Sequence, residues 1–280
     1  MVVENMPHAE YHAGHDDAPP LLSASIARIL IAESPRHAWL EHPRLGGQRR
    51  KPTRTMDRGS MLHQLCLGGD LGVHIVQATH PKTGEIVEDY RTRAAQEERD
   101  AAQADGKVVM LQRELEPLQA FAEDTCQALR DRYLLNLDDG QTELSVFFDT
   151  DGVRCKARLD HFHDAMISDL KFCESANPKK LASVIYNFGY DIEMAAHTEA
   201  IETEMPALAG RVQSRLVFVE SPELITIVPM TGAWRELGQW RWQRAKEIWR
   251  ECIEKNEWPG YSQTTIDPPV YALQQMIEAA

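Results

Sequence analysis

Asp160, Asp169 and Lys171 are the residues of this chain best placed to do chemistry. Asp160 closes the stretch Cys155-Lys-Ala-Arg-Leu-Asp160, and Asp169-Leu170-Lys171 follows nine residues later. Two carboxylates can hold a divalent cation, which takes hard oxygen ligands and keeps some of its water. Such a cation acidifies a bound water and stabilises charge on a phosphodiester. A lysine beside it can orient or deprotonate that water, or stabilise the transition state. The grouping points to metal-dependent cleavage of nucleic acid. Taken alone, the D-x8-D-x-K spacing fits the solvated face of a β-hairpin equally well.

Those residues need strands to present them. Period-two alternation puts Val153, Cys155, Ala157 and Leu159 on one face, and Arg154, Lys156, Arg158 and Asp160 on the other. The same period points Asp169 and Lys171 in one direction. Strands are predicted over 143–148, 153–162 and 165–170, separated by Asp-Gly and His-Asp turns. Helices follow over 178–187 and 190–205, then strands over 215–219 and 224–229, then a helix over 233–255. Upstream, Ser23 or Ser25 can cap a helix to Ala32, and Ser34-Pro35 starts another. Further helices are expected over 56–67, 91–104 and 113–133, with 79–90 a loop or a short strand and turn. The order describes an α/β fold, a small mixed sheet flanked by helices. Residues 1–20 read as a flexible or strap-like arm, and 21–280 as one domain.

At 280 residues the chain can bury a substantial core, and 43% hydrophobic with 26% charged residues is ordinary for a globular protein. No apolar run approaches the roughly 20 residues that cross a bilayer, so no membrane role is expected. The start, Met1-Val-Val-Glu-Asn, lacks the basic-then-apolar pattern of a secretory signal. The cysteines at 66, 126, 155, 173 and 252 are odd in number and form no C-x-x-C pair. That argues against a disulfide framework, a zinc ribbon or a cysteine-held cluster, and for a reducing cytoplasm. With no G-x-x-x-x-G-K-[ST] run, no nucleotide cofactor is expected. Thirty basic against 43 acidic residues leave a net charge of −13, unfavourable for handling DNA. Positive charge is concentrated, however. Arg44, Arg49, Arg50, Lys51, Arg54 and Arg58 stand against a single acid, Asp57, and form a local field able to seat phosphates.

Three further groups widen the constellation. Gly59-Ser-Met-Leu-His63 puts His63 one turn after a glycine, just past the basic run. Glu143 opens the strand before Asp160. In Tyr190-Asp-Ile-Glu193-Met-Ala-Ala-His197, Glu193 and His197 are i,i+4 neighbours. By themselves, His63 reads as a satisfied helix histidine, Glu193 with His197 as a surface pair worth about 0.2–0.5 kcal/mol, and the basic run at 49–58 as a solvated turn. His12, His15, His37 and His42 read as solvent-facing, and the tryptophans at 234, 240, 242 and 249 as packing residues rather than a base-stacking platform. In this order, the groups together resemble the PD-(D/E)XK nuclease superfamily. Within it they are similar to the phage-type exonuclease VIII (RecE-like) branch, related to the nuclease domain of RecB. That branch carries a G-x-x-x-H helix, a Glu-led strand, an Asp, a D-x-K and a Q-x-x-x-Y helix. The resemblance runs from Tyr11-His-Ala-Gly and Leu22-Ser-Ala-Ser, through Gly106-Lys-Val-Val, to Glu257-Trp-Pro.

The resemblance implies a PD-(D/E)XK core with N-terminal helical elaboration and a long C-terminal helix. It implies that His63, Asp160, Asp169 and the Leu170 carbonyl hold Mg²⁺ or Mn²⁺, that Lys171 is the catalytic lysine, and that Glu143 stands at the edge of the site. Glu193 joins the catalytic candidates. Arg49, Arg50, Lys51, Arg54, Arg58 and His197 are the expected DNA contacts. The implied activity is exonucleolytic degradation of linear duplex DNA, 5′→3′, leaving 3′ overhangs for a single-strand annealing partner in phage-type recombination. A homo-oligomer enclosing the DNA goes with it. A structure-specific endonuclease and a catalytically weak DNA-binding scaffold are the alternatives. Glu193 and His197 replace the family's Gln and Tyr, and Phe172-Cys173 replaces small hydroxyl residues after the lysine. A glutamate there repels phosphate unless it binds metal or pairs with Lys171.

Overall fold

In the computed structural model, which describes residues 1–4, 6–7, 10–11, 19–48, 53–69, 72–268, 270 and 274, the chain opens with two short strands. They are β1 (Val2–Val3) and β2 (Leu22–Ser23). Ser23 caps α1 (Ala24–Ala32), and Ser34 caps α2 (Pro35–Glu41), which has proline in its first turn. Thr53 caps α3 (Arg54–Leu67), the helix that carries His63. Next, β3 (Val73–Ile75), α4 (Arg93–Ala104) and β4 (Val108–Met110) make a small parallel unit over Val76, Val87, Ala95, Val109 and Leu111. Helix α4 matches the helix expected over 91–104, but strands of three residues are too short to show a period, and β3 and β4 are absent from the sequence-based expectation.

Helix α5 (Gln112–Tyr133) leads into β5 (Gln141–Thr150), β6 (Val153–His163) and β7 (Met166–Phe172). The chain crosses over through α6 (Pro178–Phe188) and α7 (Tyr190–Glu204) to the hairpin β8 (Gln213–Ser221) and β9 (Leu224–Pro229). It then enters α8 (Ala233–Lys255). Among the described residues the main sheet has seven strands, ordered β1-β5-β6-β7-β8-β9 with β2 alongside β6. β5 to β7 run antiparallel; β7 and β8 are parallel because two helices intervene. The expected mixed sheet flanked by helices is observed, with Val2–Val3 of the N-terminal arm paired on its edge.

Leu144, Val146 and Phe148 of β5 join Cys155, Ala157 and Leu159 of β6 beneath Ile26, Ile192, Ala196 and Trp242. On the α5 side, Leu129 packs with Leu170, Val217 and Val219. Gly238 lets α8 close on α7, because a Cβ there would lie 2.3 Å from the Asp191 carbonyl oxygen. Trp242 and Trp249 are core residues as expected, whereas Trp240 points outward and is 65% exposed. Among the described residues no helix is long and apolar enough to cross a membrane.

One irregularity positions the site. The β6–β7 ladder joins only His161, Phe162 and His163 to Ser168, Ile167 and Met166. β7 stays paired with β8 through Phe172. Asp160 and Asp169 therefore stand where two strands part.

Candidate active site

The parting of β6 and β7 borders a cleft lined by His63, Glu143, Arg158, Asp160, Glu193 and His197. Asp160 Oδ2 accepts the Leu170 amide at 2.8 Å, in place of the ladder partner that β6 no longer offers. The same oxygen lies 3.5 Å from His63 Nδ1. The His63 ring meets Phe172 edge-on, with centroids 5.2 Å apart, which fixes its plane. Lys171 Nζ is 2.6 Å from Asp169 Oδ2, 2.8 Å from Glu193 Oε2 and 4.5 Å from the Tyr190 ring centroid. Glu143 adopts φ 50°, a left-handed conformation that is costly away from glycine. Its carboxylate accepts from Arg158 Nε.

Burial sets the electrostatics. It pushes Asp160 up to about 7 and Asp169 well above the carboxylate range, with Lys171 opposing both shifts. Burial alone would lower Lys171, but the negative charge of Asp169, Glu193 and Asp160 outweighs it and holds the ammonium well above the usual lysine range. Lys171 is thus a charged donor, suited to holding an anion or a water oxygen rather than to taking a proton. Burial also acts on Glu193, yet Lys171 and His197 outweigh it and keep that carboxylate low. Desolvation drops His63 and His197 to about 4, so both imidazoles are neutral at pH 7 and carry a free lone pair. His197 Nδ1 and Arg158 Nη1 are buried without a hydrogen-bond partner, whereas Asp169 Oδ2 is held by the Lys171 ammonium at 2.6 Å. Orphaned polar atoms cost about 1–3 kcal/mol each.

The structure brings together His63, Glu143, Asp160, Asp169, Lys171, Glu193 and His197, with Leu170 present through its backbone. His197 is buried, so with Glu193 it is no surface pair. The basic run does not reach the cleft among the described residues. Arg54 gives its guanidinium to Glu114 of α5 at 2.5 Å, and Arg58 is not part of the lining. Arg49, Arg50 and Lys51, like His12 and His15, lie outside the described residues. Two cations that sequence reasoning passed over do line the cleft, Arg158 and Lys156. Their signal was the alternation that puts both on the face of Asp160. Lys156 Nζ donates to the Tyr11 carbonyl at 2.6 Å and so ties the N-terminal arm to β6.

Carboxylate oxygens with one neutral imidazole make a donor set suited to a hard or borderline divalent cation. Among the described residues, no three His, Cys, Asp or Glu side chains already converge as a cage. Instead the Lys171 ammonium stands among the acids as their internal counter-charge. The chemistry fits a metal nonetheless. Asp160 and Asp169 are buried acids that desolvation holds above their ordinary pKa despite Lys171, so a further positive charge beside them would be favoured.

A family profile described as "PDDEXK-like domain of unknown function (DUF3799)" matches residues 31–265. No curated protein matches the chain. Among solved structures, a candidate exonuclease from Eubacterium rectale superposes with a TM-score of 0.56 at 13% identity, covering 91% of this chain and 92% of that one. A phage-related exonuclease from Haemophilus somnus 129PT gives a TM-score of 0.33 at 12% identity, covering 70% of this chain and 95% of the other. At such identity the first likeness speaks for the fold alone, and the second carries no argument. The profile covers most of the chain, including every residue of the cleft cluster from His63 to His197, and the chain belongs to this PDDEXK-like family.

Proposed function

We propose that this protein is a divalent-metal-dependent deoxyribonuclease that degrades linear duplex DNA from an end. The observation that carries the reading is the meeting of Asp160, Asp169, Lys171 and His63 where β6 and β7 separate. PD-(D/E)XK nucleases generally use divalent metals, and the shared fold with a candidate exonuclease supports action at ends. In this reading Asp160, Asp169, His63 and the Leu170 carbonyl hold Mg²⁺ or Mn²⁺, which when bound supplies Lewis-acid stabilisation and an acidified water. The Lys171 ammonium orients the attacking water and stabilises the charge developing on the phosphoryl oxygens. Glu193 keeps Lys171 charged and aimed. Glu143 fixes Arg158 as a positive charge lining the cleft, and His197 lines the DNA path. Arg49, Arg50, Lys51, Arg54 and Arg58 steer the duplex through their concentrated positive charge. A 5′→3′ direction, 3′ overhangs for an annealing partner, a homo-oligomer around DNA and a reducing cytoplasm belong to the same proposal.

Incubating end-labelled linear DNA and closed circular DNA with Mg²⁺ or Mn²⁺ tests it. Loss of label and mass from linear DNA alone is the expected outcome. Cutting of circles would indicate an endonuclease. Binding without cleavage would indicate a DNA-binding scaffold, the reading that Glu193 and the −13 net charge favour.

A further inference from the structure

The α6–α7 junction carries an aromatic pair with no role in the chemistry above. Phe188, the last residue of α6, is 53% exposed. Its ring stacks on Tyr190, the first residue of α7, with centroids 5.7 Å apart and planes inclined by 17°. Tyr190 is anchored from both sides. Its ring lies 6.1 Å from Phe218 in the core and 4.5 Å from Lys171 Nζ. Between the two aromatics Gly189 takes φ 67°, and a Cβ there would fall 2.8 Å from Arg28 Cγ. The α1 side chain of Arg28 therefore lies on this junction, with no carboxylate partner among the described residues.

A single exposed aromatic is ordinary on a protein surface. This one differs because it is the outer member of a continuous series: core ring, ring against the candidate catalytic amine, then exposed ring. Stacking on an anchored neighbour holds Phe188 rigid and leaves its other face to solvent, with a cation close by.

We propose that Phe188 is a stacking platform for an unpaired nucleobase next to the scissile phosphate, with Arg28 meeting the adjoining phosphate. The inference rests on the nuclease reading and narrows its substrate. Every base has a π face, so such a platform tolerates any sequence. It does require a base that is free of its own stack. The preferred substrate is then a frayed or single-stranded DNA end rather than a fully paired one.

The test uses the full-length protein in EDTA, with a fluorescein-labelled single-stranded oligonucleotide read by anisotropy. Phe188→Ala and Phe188→Leu should each weaken binding about tenfold, or about 1.4 kcal/mol, within the range for base–aromatic stacking. Phe188→Trp should keep the affinity and add fluorescence that DNA quenches. A single abasic site moved along the strand should, at one position, weaken the wild type by that factor and Phe188→Ala no further. Phe188→Leu keeps apolar cover on Tyr190, so its thermal unfolding should match the wild type and separate stacking from folding. If the wild type cuts DNA while Phe188→Ala binds equally well, or if the abasic loss is independent of residue 188, the platform is wrong and the nuclease reading stands. A wild type that neither binds nor cuts DNA overturns both.

Discussion

Two lysines of this chain are buried among carboxylates, and they differ in what surrounds the acids. Lys246 of α8 is 2% exposed and donates to Glu199 at 2.8 Å and to Asp151 at 2.6 Å. Glu199 also accepts from Trp242 Nε1 and from the Thr150 hydroxyl. Asp151 is half exposed, and Lys246 holds its carboxyl below the usual range. This cluster ties α8, α7 and the β5–β6 turn together and takes no part in lining the cleft at His63 and Asp160. Lys171 is 15% exposed and has two acid partners of its own, yet Asp160 adds a third acid beside it and burial drives two of the three upward. One cluster has its charges answered and the other carries surplus acid beside an opening. That difference separates an ion pair that holds a fold from one arranged to receive a ligand.

The comparison is broken most forcefully by exchanging each lysine for an apolar residue of similar length. Lys171→Met and Asp169→Asn should each reduce metal-dependent DNA cleavage by about 10²–10³-fold, while circular dichroism shows the fold retained. Lys246→Met should do the reverse. It should cost about 2–3 kcal/mol by denaturant unfolding, below the range for breaking a fully buried pair because Asp151 is half exposed. Cleavage per folded molecule should be unchanged.

A smaller effect sharpens the claim of surplus acid. The folded-state pKa of Asp160, about 7, lies above that of an unfolded aspartate. The native state therefore holds the extra proton between those limits. The stability Asp160 contributes is present at low pH and lost as pH rises through about 7. In metal-free buffer, Asp160→Asn should gain a few degrees in Tm over the wild type at pH 8 and nothing at pH 4. The smallest change is expected for Glu193→Gln, with DNA affinity unchanged or modestly improved because a negative charge leaves the cleft. A large loss of metal affinity in that variant would make Glu193 a ligand.

Much of this was legible in the sequence because it rests on period. The alternation in 153–160 fixed the core face and the active face of β6, and the apolar spacing of 113–133 fixed a helix. The meeting of His63 with Asp160 was legible only through the resemblance, since no local pattern relates residues from α3 and β6. Helix α4 was legible within 91–104, but the short strands β3 and β4 beside it left no signal, and neither did the left-handed backbone of Glu143. The basic run was legible as charge but not as location. Arg54 pairs with Glu114 of α5 rather than lining the cleft, and pairing across the fold is decided by packing, not composition. Arg158 was visible as a residue on the face of Asp160 yet went unread, because a lone arginine on a strand is usually solvated.

The most direct measurement is the rate at which Lys171→Met and Lys246→Met cut linear duplex DNA with Mg²⁺, each normalised to the folded fraction. The account requires the first to lose nearly all activity and the second to keep the wild-type rate. Equal rates in the two, or wild-type cleavage by Lys171→Met, would contradict it.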